Sequence, residues 1–202
     1  MDLYIYCMHK NFLFLAAAVL SSTILFSQKL STVVNYVTED GTANGNIIVY
    51  RPGQMLNWDD FKGTPVEASP AAAMTNAGLA IKLAFHHVGN TSELELAVNC
   101  NFSKKDSWVK NGNKNSYILN HEQKHFDIAY INTLLFMHAL RNASLTTSNY
   151  AEEIQRIYRE SVMAMSKMQN QYDAETNHSR ITEKQAEWDE KVSKLLESSV
   201  KL

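Results

Sequence analysis

Residues 116–141 read SYILNHEQKHFDIAYINTLLFMHALR, and this stretch decides the architecture around it. Its apolar residues recur with a helical period, which predicts an α-helix from Ser116 to about Arg141. At about 100° per residue, His121, His125 and Asn132 share a stripe with Ile118, Ile128 and Phe136, inside a broad apolar arc that also holds Ala129 and Leu135. The polar flank is Asn120, Lys124 and Asp127. Two imidazoles on a core-facing side need partners, because an unpaired buried polar group costs about 1–3 kcal/mol. Set four residues apart, they lie one turn apart on one face and can share a metal ion, with Glu122 beside the same cavity.

His121-Glu122-Gln123-Lys124-His125 is therefore an H-E-x-x-H motif with a chemical reading. Catalytic zinc takes three protein ligands and keeps a fourth position for water, whose pKa falls to about 7. Glu122 is placed to take that water's proton as general base. With 7 His and 13 Glu in 202 residues, random order gives the pattern about 1.5 times in a hundred chains. Its weight thus comes from its place on the core face as well as from its letters.

A third ligand must come from elsewhere. Cys7 and Cys100 are the two cysteines of the chain, which excludes a disulfide scaffold and an all-cysteine metal site, so a metal must be held by His and carboxylates. His178 lies 53 positions after His125, in the polar stretch Tyr172–Ser179, read here as a loop between two helices. Glu152 or Glu153, 27 or 28 positions after His125, would be a glutamate from the following helix, although acids in a first turn are also favoured by the helix dipole. Asp127 falls on the wrong face. His178 ranks slightly ahead of the glutamates, and both remain open at this point. In the same stretch, Tyr172 could donate to an oxyanion and Asp173 could orient a ligand imidazole.

Working outward, the periodicity predicts two further helices, Asn149 to about Asn170 and Thr182 to about Ser198. Thr182-x-x-Gln185 reads as a capping box and Asn149 with Glu152 as a looser one. Met163, Met165 and Met168 read as gap-filling core. On the N-terminal side, Ile47–Tyr50 reads as a short strand, and residues 58–65 as a turn-rich segment anchored by Trp58 and Phe61. Residues 77–87 and 93–102 alternate, with Leu79, Ile81, Leu83 and Phe85 on one and Leu94, Leu96, Val98 and Cys100 on the other. Gly89-Asn90-Thr91 would join them as a hairpin with one buried face, whose edge could receive an extended peptide. His86, His87 and His138 are expected to be structural or solvated. Strands first and helices second make an α+β domain.

Residues 1–27 combine His9 and Lys10 with an apolar run from Phe12 to Phe26, the layout of a secretory signal peptide and too short for comfortable spanning. The expectation is a signal peptide over 1–27, one domain over 28–202, a periplasmic or extracellular location, and no stable membrane span after cleavage. A net charge of −2 gives no reason to expect a nucleic-acid partner.

Several segments together resemble the DUF922 group of secreted bacterial proteins with a predicted zinc-dependent protease activity. They are Leu56–Gly63, Ala71–Thr75, Ser107–Val109, Ile118–Ala129 and Tyr172–His178, with Gln185 and Trp188 following. The resemblance implies a zincin-like helix packed under a sheet, one Zn2+ ion, and His178 as the third ligand beside His121 and His125. Members of the group usually carry glycine after the histidine matching His178, where this chain has Ser179. The function expected is a zinc metallohydrolase acting on a peptide or protein substrate. The rivals are a non-catalytic zinc-containing envelope binding or scaffold protein, and a hydrolase of some other amide or ester.

Overall fold

A computed structural model describes residues 30–39, 45–88 and 91–202, so the expected signal segment, Cys7 and the Gly89-Asn90 turn lie outside the described residues. Six strands precede three helices: β1 (Ser31–Tyr36), β2 (Ile47–Val49), β3 (Ala73–Met74), β4 (Ala77–Val88), β5 (Thr91–Ser103), β6 (Trp108–Val109), α1 (Ser116–Asn142), α2 (Tyr150–Thr176) and α3 (Thr182–Ser199). The α+β order is as expected. No helix among the described residues is long and apolar enough to cross a membrane.

The central strand is β5. It pairs antiparallel with β4 along one edge, and its other edge carries β1 in parallel and β2 antiparallel. The sheet is therefore mixed, and β1 was not anticipated, because STVVNY offers only Val33, Val34 and Tyr36 as apolar residues, without a sustained alternation, and its parallel partner is distant in sequence. Alternation along β5 is obeyed in full: Leu94, Leu96, Val98, Cys100 and Phe102 are all completely buried. On β4 the same face fades toward its end, where Leu83 and Phe85 are half-exposed; Phe85 there meets Tyr150 edge-on.

That sheet face packs on α1, which is buried along half its length and also touches α2 and α3. One core lies between β4, β5 and the C-terminal half of α1, with Phe136, Leu140, Ile154 and Ile157 from the helices. A second gathers Tyr50, Phe61, Phe102 and Phe126 around the start of α1. The third, Ile128, Ile131, Tyr172, Trp188 and Val192, locks the three helices together. Surrounded on so many sides, α1 has no fully polar flank. Asp127, expected there, is buried and accepts hydrogen bonds from Tyr50 Oη, Gln123 Nε2 and Lys124 Nζ. Leu135 and Met163, expected in the core, are instead exposed.

Short elements seat the N-terminal segment against this frame. A 3-10 turn at Trp58–Asp60 carries a capping box from Asn57, and Lys104 pairs with Asp60 at 3.0 Å. Gly63 lies so close to the carbonyls of Lys105 and Ser107 that a Cβ there would sit 2.8 Å from both oxygens. This approach fixes the ribbon formed by β3 and β6 beside the start of α1.

Helix α2 runs to Thr176, six residues past its expected end, so Tyr172 and Asp173 are helical and not in a loop. The stop is a run of left-handed residues, Asn177 (φ 48°), His178 (φ 51°) and Ser179 (φ 68°). The two expected capping boxes do not form: the N-caps Asn149 and Ile181 make no side-chain cap bond, and Gln185 is drawn into a buried network instead. A side chain in the left-handed region is strained by roughly 1–2 kcal/mol. Ser179→Gly is therefore expected to raise stability by roughly 0.5–1 kcal/mol, read as a higher denaturant midpoint at unchanged slope; an unchanged or lower midpoint would show that the Ser179 backbone is not strained.

Candidate metal centre

Helices α1 and α2 cross so that His121 and His125 face the last turns of α2. Three atoms converge there: His121 Nε2, His125 Nε2 and Asp173 Oδ1, at 3.3 Å (His to His), 3.2 Å (His121 to Asp173) and 3.1 Å (His125 to Asp173). Both imidazoles are nearly buried, whereas the Asp173 side chain is 30% exposed.

The far side of each ring is fixed by an amide. His121 Nδ1 lies 2.8 Å from Gln185 Oε1, and His125 Nδ1 makes a short contact with Gln169 Oε1. The orientation of each amide follows from its other end. Gln185 Nε2 donates to Tyr172 Oη and Asp189 Oδ1, and Gln169 Nε2 donates to the His125 carbonyl. Each amide oxygen must then accept, so each Nδ1 carries the ring proton. In the neutral rings both Nε2 atoms present lone pairs to one another and to a carboxylate oxygen. Such a triangle requires a cation or added protons.

Its dimensions fit an ion. Tetrahedral zinc with bonds of about 2.0–2.1 Å needs donors about 3.3–3.4 Å apart, close to the 3.1–3.3 Å found. His121, His125 and Asp173 are the group of metal-ligating side chains whose donor atoms lie mutually within 4.8 Å among the described residues. His178 stands next to it, with Nδ1 3.3 Å from Asp173 Oδ1, but outside that mutual group. Glu152 and Glu153 are excluded: they sit in the first turn of α2, where Glu153 pairs with Arg156, and about 20 residues of helix at 1.5 Å each put them roughly 30 Å from Asp173.

These groups and a wall of small side chains enclose a cavity of about 330 Å3. Glu122 lines it, fully buried, with Oε2 lacking a hydrogen-bond partner among the described residues. Burial raises the Glu122 pKa, and the charges of His125 and His121 oppose the shift only in part. Burial would lower His125, but its hydrogen bond to Asp173 and the Glu122 charge outweigh it, so its pKa is raised. Burial would raise Asp173; the hydrogen bonds from His121 and His125 prevail and hold it well below the usual carboxylate range. Thr75 Oγ1 donates to the Glu122 carbonyl, tying β3 to the motif.

The structure brings His121, His125 and Glu122 to one cavity and puts His178, expected as the third ligand, on its wall but outside the mutual group of donor atoms. Sequence reading weighed Asp173 only as an orienting group, whereas the structure puts its oxygen among the donor atoms. Tyr172, considered for an oxyanion, is completely buried and donates instead to the His121 carbonyl. Trp108 serves both as buried anchor and as cavity wall. Gln169 was missed. Its signal was the i, i+4 spacing with Asp173, legible only once α2 is continued through Tyr172.

Residues 103–179 match a family described as "Bacterial protein of unknown function (DUF922)". The matched span holds α1, α2, both histidines of the motif, Glu122, Asp173 and His178, and leaves out β3 and α3. No curated protein and no solved structure matches the chain.

The charge pairing sets a pH window for the metal-free protein. A depressed Asp173 contributes stability that is present above its unfolded pKa and lost as pH falls through the folded one. A raised His125 contributes stability that is present below its unfolded pKa and lost as pH rises through the folded one. Metal-free wild type should therefore lose stability toward acid and again as pH rises past the ordinary histidine value, and Asp173→Asn should flatten both limbs in thermal melts across pH. An unchanged profile in Asp173→Asn would contradict the pairing.

Proposed function

We propose that the protein is a zinc-dependent metallohydrolase, acting on peptide bonds, in which His121, His125 and Asp173 hold the ion and Glu122 is the general base. The observation carrying this reading is the convergence of three lone-pair donors beside a buried carboxylate oxygen that has no hydrogen-bond partner among the described residues. A bound zinc ion supplies Lewis acidity, lowering the pKa of water to about 7 and polarising a carbonyl.

The chain's own residues do the rest. Gln169 and Gln185 keep the Nδ1 protons on the far side of each ring, which leaves Nε2 basic and aimed at the ion. Glu122 Oε2, which has no hydrogen-bond partner among the described residues, is placed to accept a proton from water and to return it to a leaving amine. His178 borders the cavity on the exposed side of Asp173 and holds that carboxylate in place.

In this reading the edge that receives an extended peptide is β3, whose Ala73 and Met74 line the cavity together with Ala77 of β4. Lys110 N–H donates to the Ala72 carbonyl, so in the antiparallel register Ala73↔Val109 the next pair is not hydrogen-bonded. Ala73 therefore turns its N–H and C=O away from β6, and the alanines at 71–73 leave room for substrate side chains.

The test is metal content and peptide-library cleavage for wild type and three variants. Glu122→Gln should keep its zinc and lose roughly 10²–10⁴ in rate. Asp173→Ala should weaken zinc binding by more than roughly a hundredfold, the upper limit typical of outer partners, while His178→Ala keeps stoichiometric zinc. Wild type without zinc affinity would overturn the proposal, and zinc lost in His178→Ala but kept in Asp173→Ala would exchange the two residues in the ligand set.

A further inference from the structure

The cavity at the metal centre does not end there. A second cavity of about 410 Å3 adjoins it, and the two share Ala71, Ala72, Ile118, His178 and Ser179 as common wall. The two cavities thus lie side by side between Glu122 and the start of α1. They differ in charge. The metal end carries the carboxylates Glu122 and Asp173, whereas the lining of the second cavity contains no carboxylate and two cations, Lys110 and Arg180.

Neither cation is neutralised by an acid among the described residues. Lys110 Nζ donates to the carbonyls of Glu67 and Ser69, and Arg180 Nη2 to that of Pro70. These bonds hold both side chains against the 67–70 segment and leave donors unspent: Lys offers three N–H groups and Arg five. The first turn of α1 also holds no acidic residue to offset the positive end of its dipole. Two fixed, carboxylate-free cations in a recess match a carboxylate, which Arg binds as a planar fork.

We propose that this second cavity is an anion subsite that reads a carboxylate of the substrate. With the hydrolase reading above, on which this part rests, the enzyme prefers peptides bearing an acidic side chain or a free C-terminal carboxylate on the side of the scissile bond lying over Lys110 and Arg180. A bound zinc ion would itself attract a carboxylate, so the share of the preference that the subsite carries is the share lost in variants of its two cations.

Binding separates this proposal from catalysis. The probes are acetylated penta-alanine with a free C-terminal carboxylate, the same peptide as the amide, and amides carrying one Glu or one Gln at each position in turn. Each is titrated calorimetrically into zinc-loaded protein carrying Glu122→Gln, which prevents turnover. A carboxylate-bearing probe should bind roughly tenfold or more tightly than its neutral match, the gain expected of charged hydrogen bonds, and less so in high salt. Preference for the free acid identifies a terminal carboxylate, and preference for a Glu amide identifies an acidic side chain.

Arg180→Gln and Lys110→Met should each reduce the preference with the neutral amide's affinity unchanged, and Arg180→Lys should retain most of it. Equal affinities for charged and neutral probes, a preference surviving undiminished in both variants, or no measurable binding would overturn the proposal. Equal loss of neutral and charged binding in the variants would do so too, because it would mean that the cations merely brace the 67–70 segment. A preserved binding preference with no peptide cleaved by wild type would leave the subsite standing and remove the hydrolase reading; cleavage without preference would do the reverse.

Discussion

Two imidazole nitrogens and a carboxylate oxygen, each presenting a lone pair, lie 3.1–3.3 Å apart at the heart of this molecule. Such an arrangement is repulsive unless a positive charge sits among them, and much of the surrounding structure serves to impose it. α1 supplies both rings at i, i+4. α2 supplies the carboxylate and the amide of Gln169, while α3 supplies the amide of Gln185. Because each amide is held at both ends, the ring tautomers are set by the protein before any ion arrives.

Holding polar groups this deep requires packing that forbids relaxation. Tyr172 stacks on His121 with centroids 4.5 Å apart and contacts Trp188 on its other side, so the third hydrophobic core is also the floor of the site. Gln185 bonds Tyr172 and Asp189 in addition to His121, which ties that floor to α3. Strain gathers at the neighbouring α2 terminus, where three consecutive non-glycine residues are left-handed. Strained backbone persists where neighbouring contacts over-determine it. Here the contacts include His178 N–H to the Asp173 carbonyl and Ile181 N–H to that of Thr176.

Much of this was legible in the sequence, and the remainder failed for identifiable physical reasons. The strand β5, the three helices and the motif on α1 follow from periodicity, since burial on one face leaves a repeat that can be read. Periodicity leaves Asp173 in a loop because QNQYDAET carries Tyr172 as its one large apolar residue, with only Ala174 beside it, and no repeat by which to extend α2. Its place beside His125 depends on how two helices are set against each other, 48 positions apart, which local pattern does not encode. Gln185 illustrates a conflict of levels: its spacing from Thr182 spells a capping box, but buried polar groups nearby claim its amide. Asp127 was assigned to solvent by helical-wheel logic that assumes one buried face, whereas α1 is enclosed by the sheet and two helices. The strand β1 pairs in parallel with a partner about 60 residues away, and such non-local pairing leaves little local trace.

Everything proposed for this site requires one cation in the triangle formed by His121, His125 and Asp173. Anomalous diffraction at the zinc edge from crystals of the zinc-loaded protein tests this directly. One strong peak is expected about 2.0–2.2 Å from His121 Nε2, His125 Nε2 and an Asp173 carboxylate oxygen, with Glu122 Oε2 close by but not bonded to the ion. No peak at that position, or a closed site in which four protein side chains including Glu122 bind the metal, would contradict the proposal.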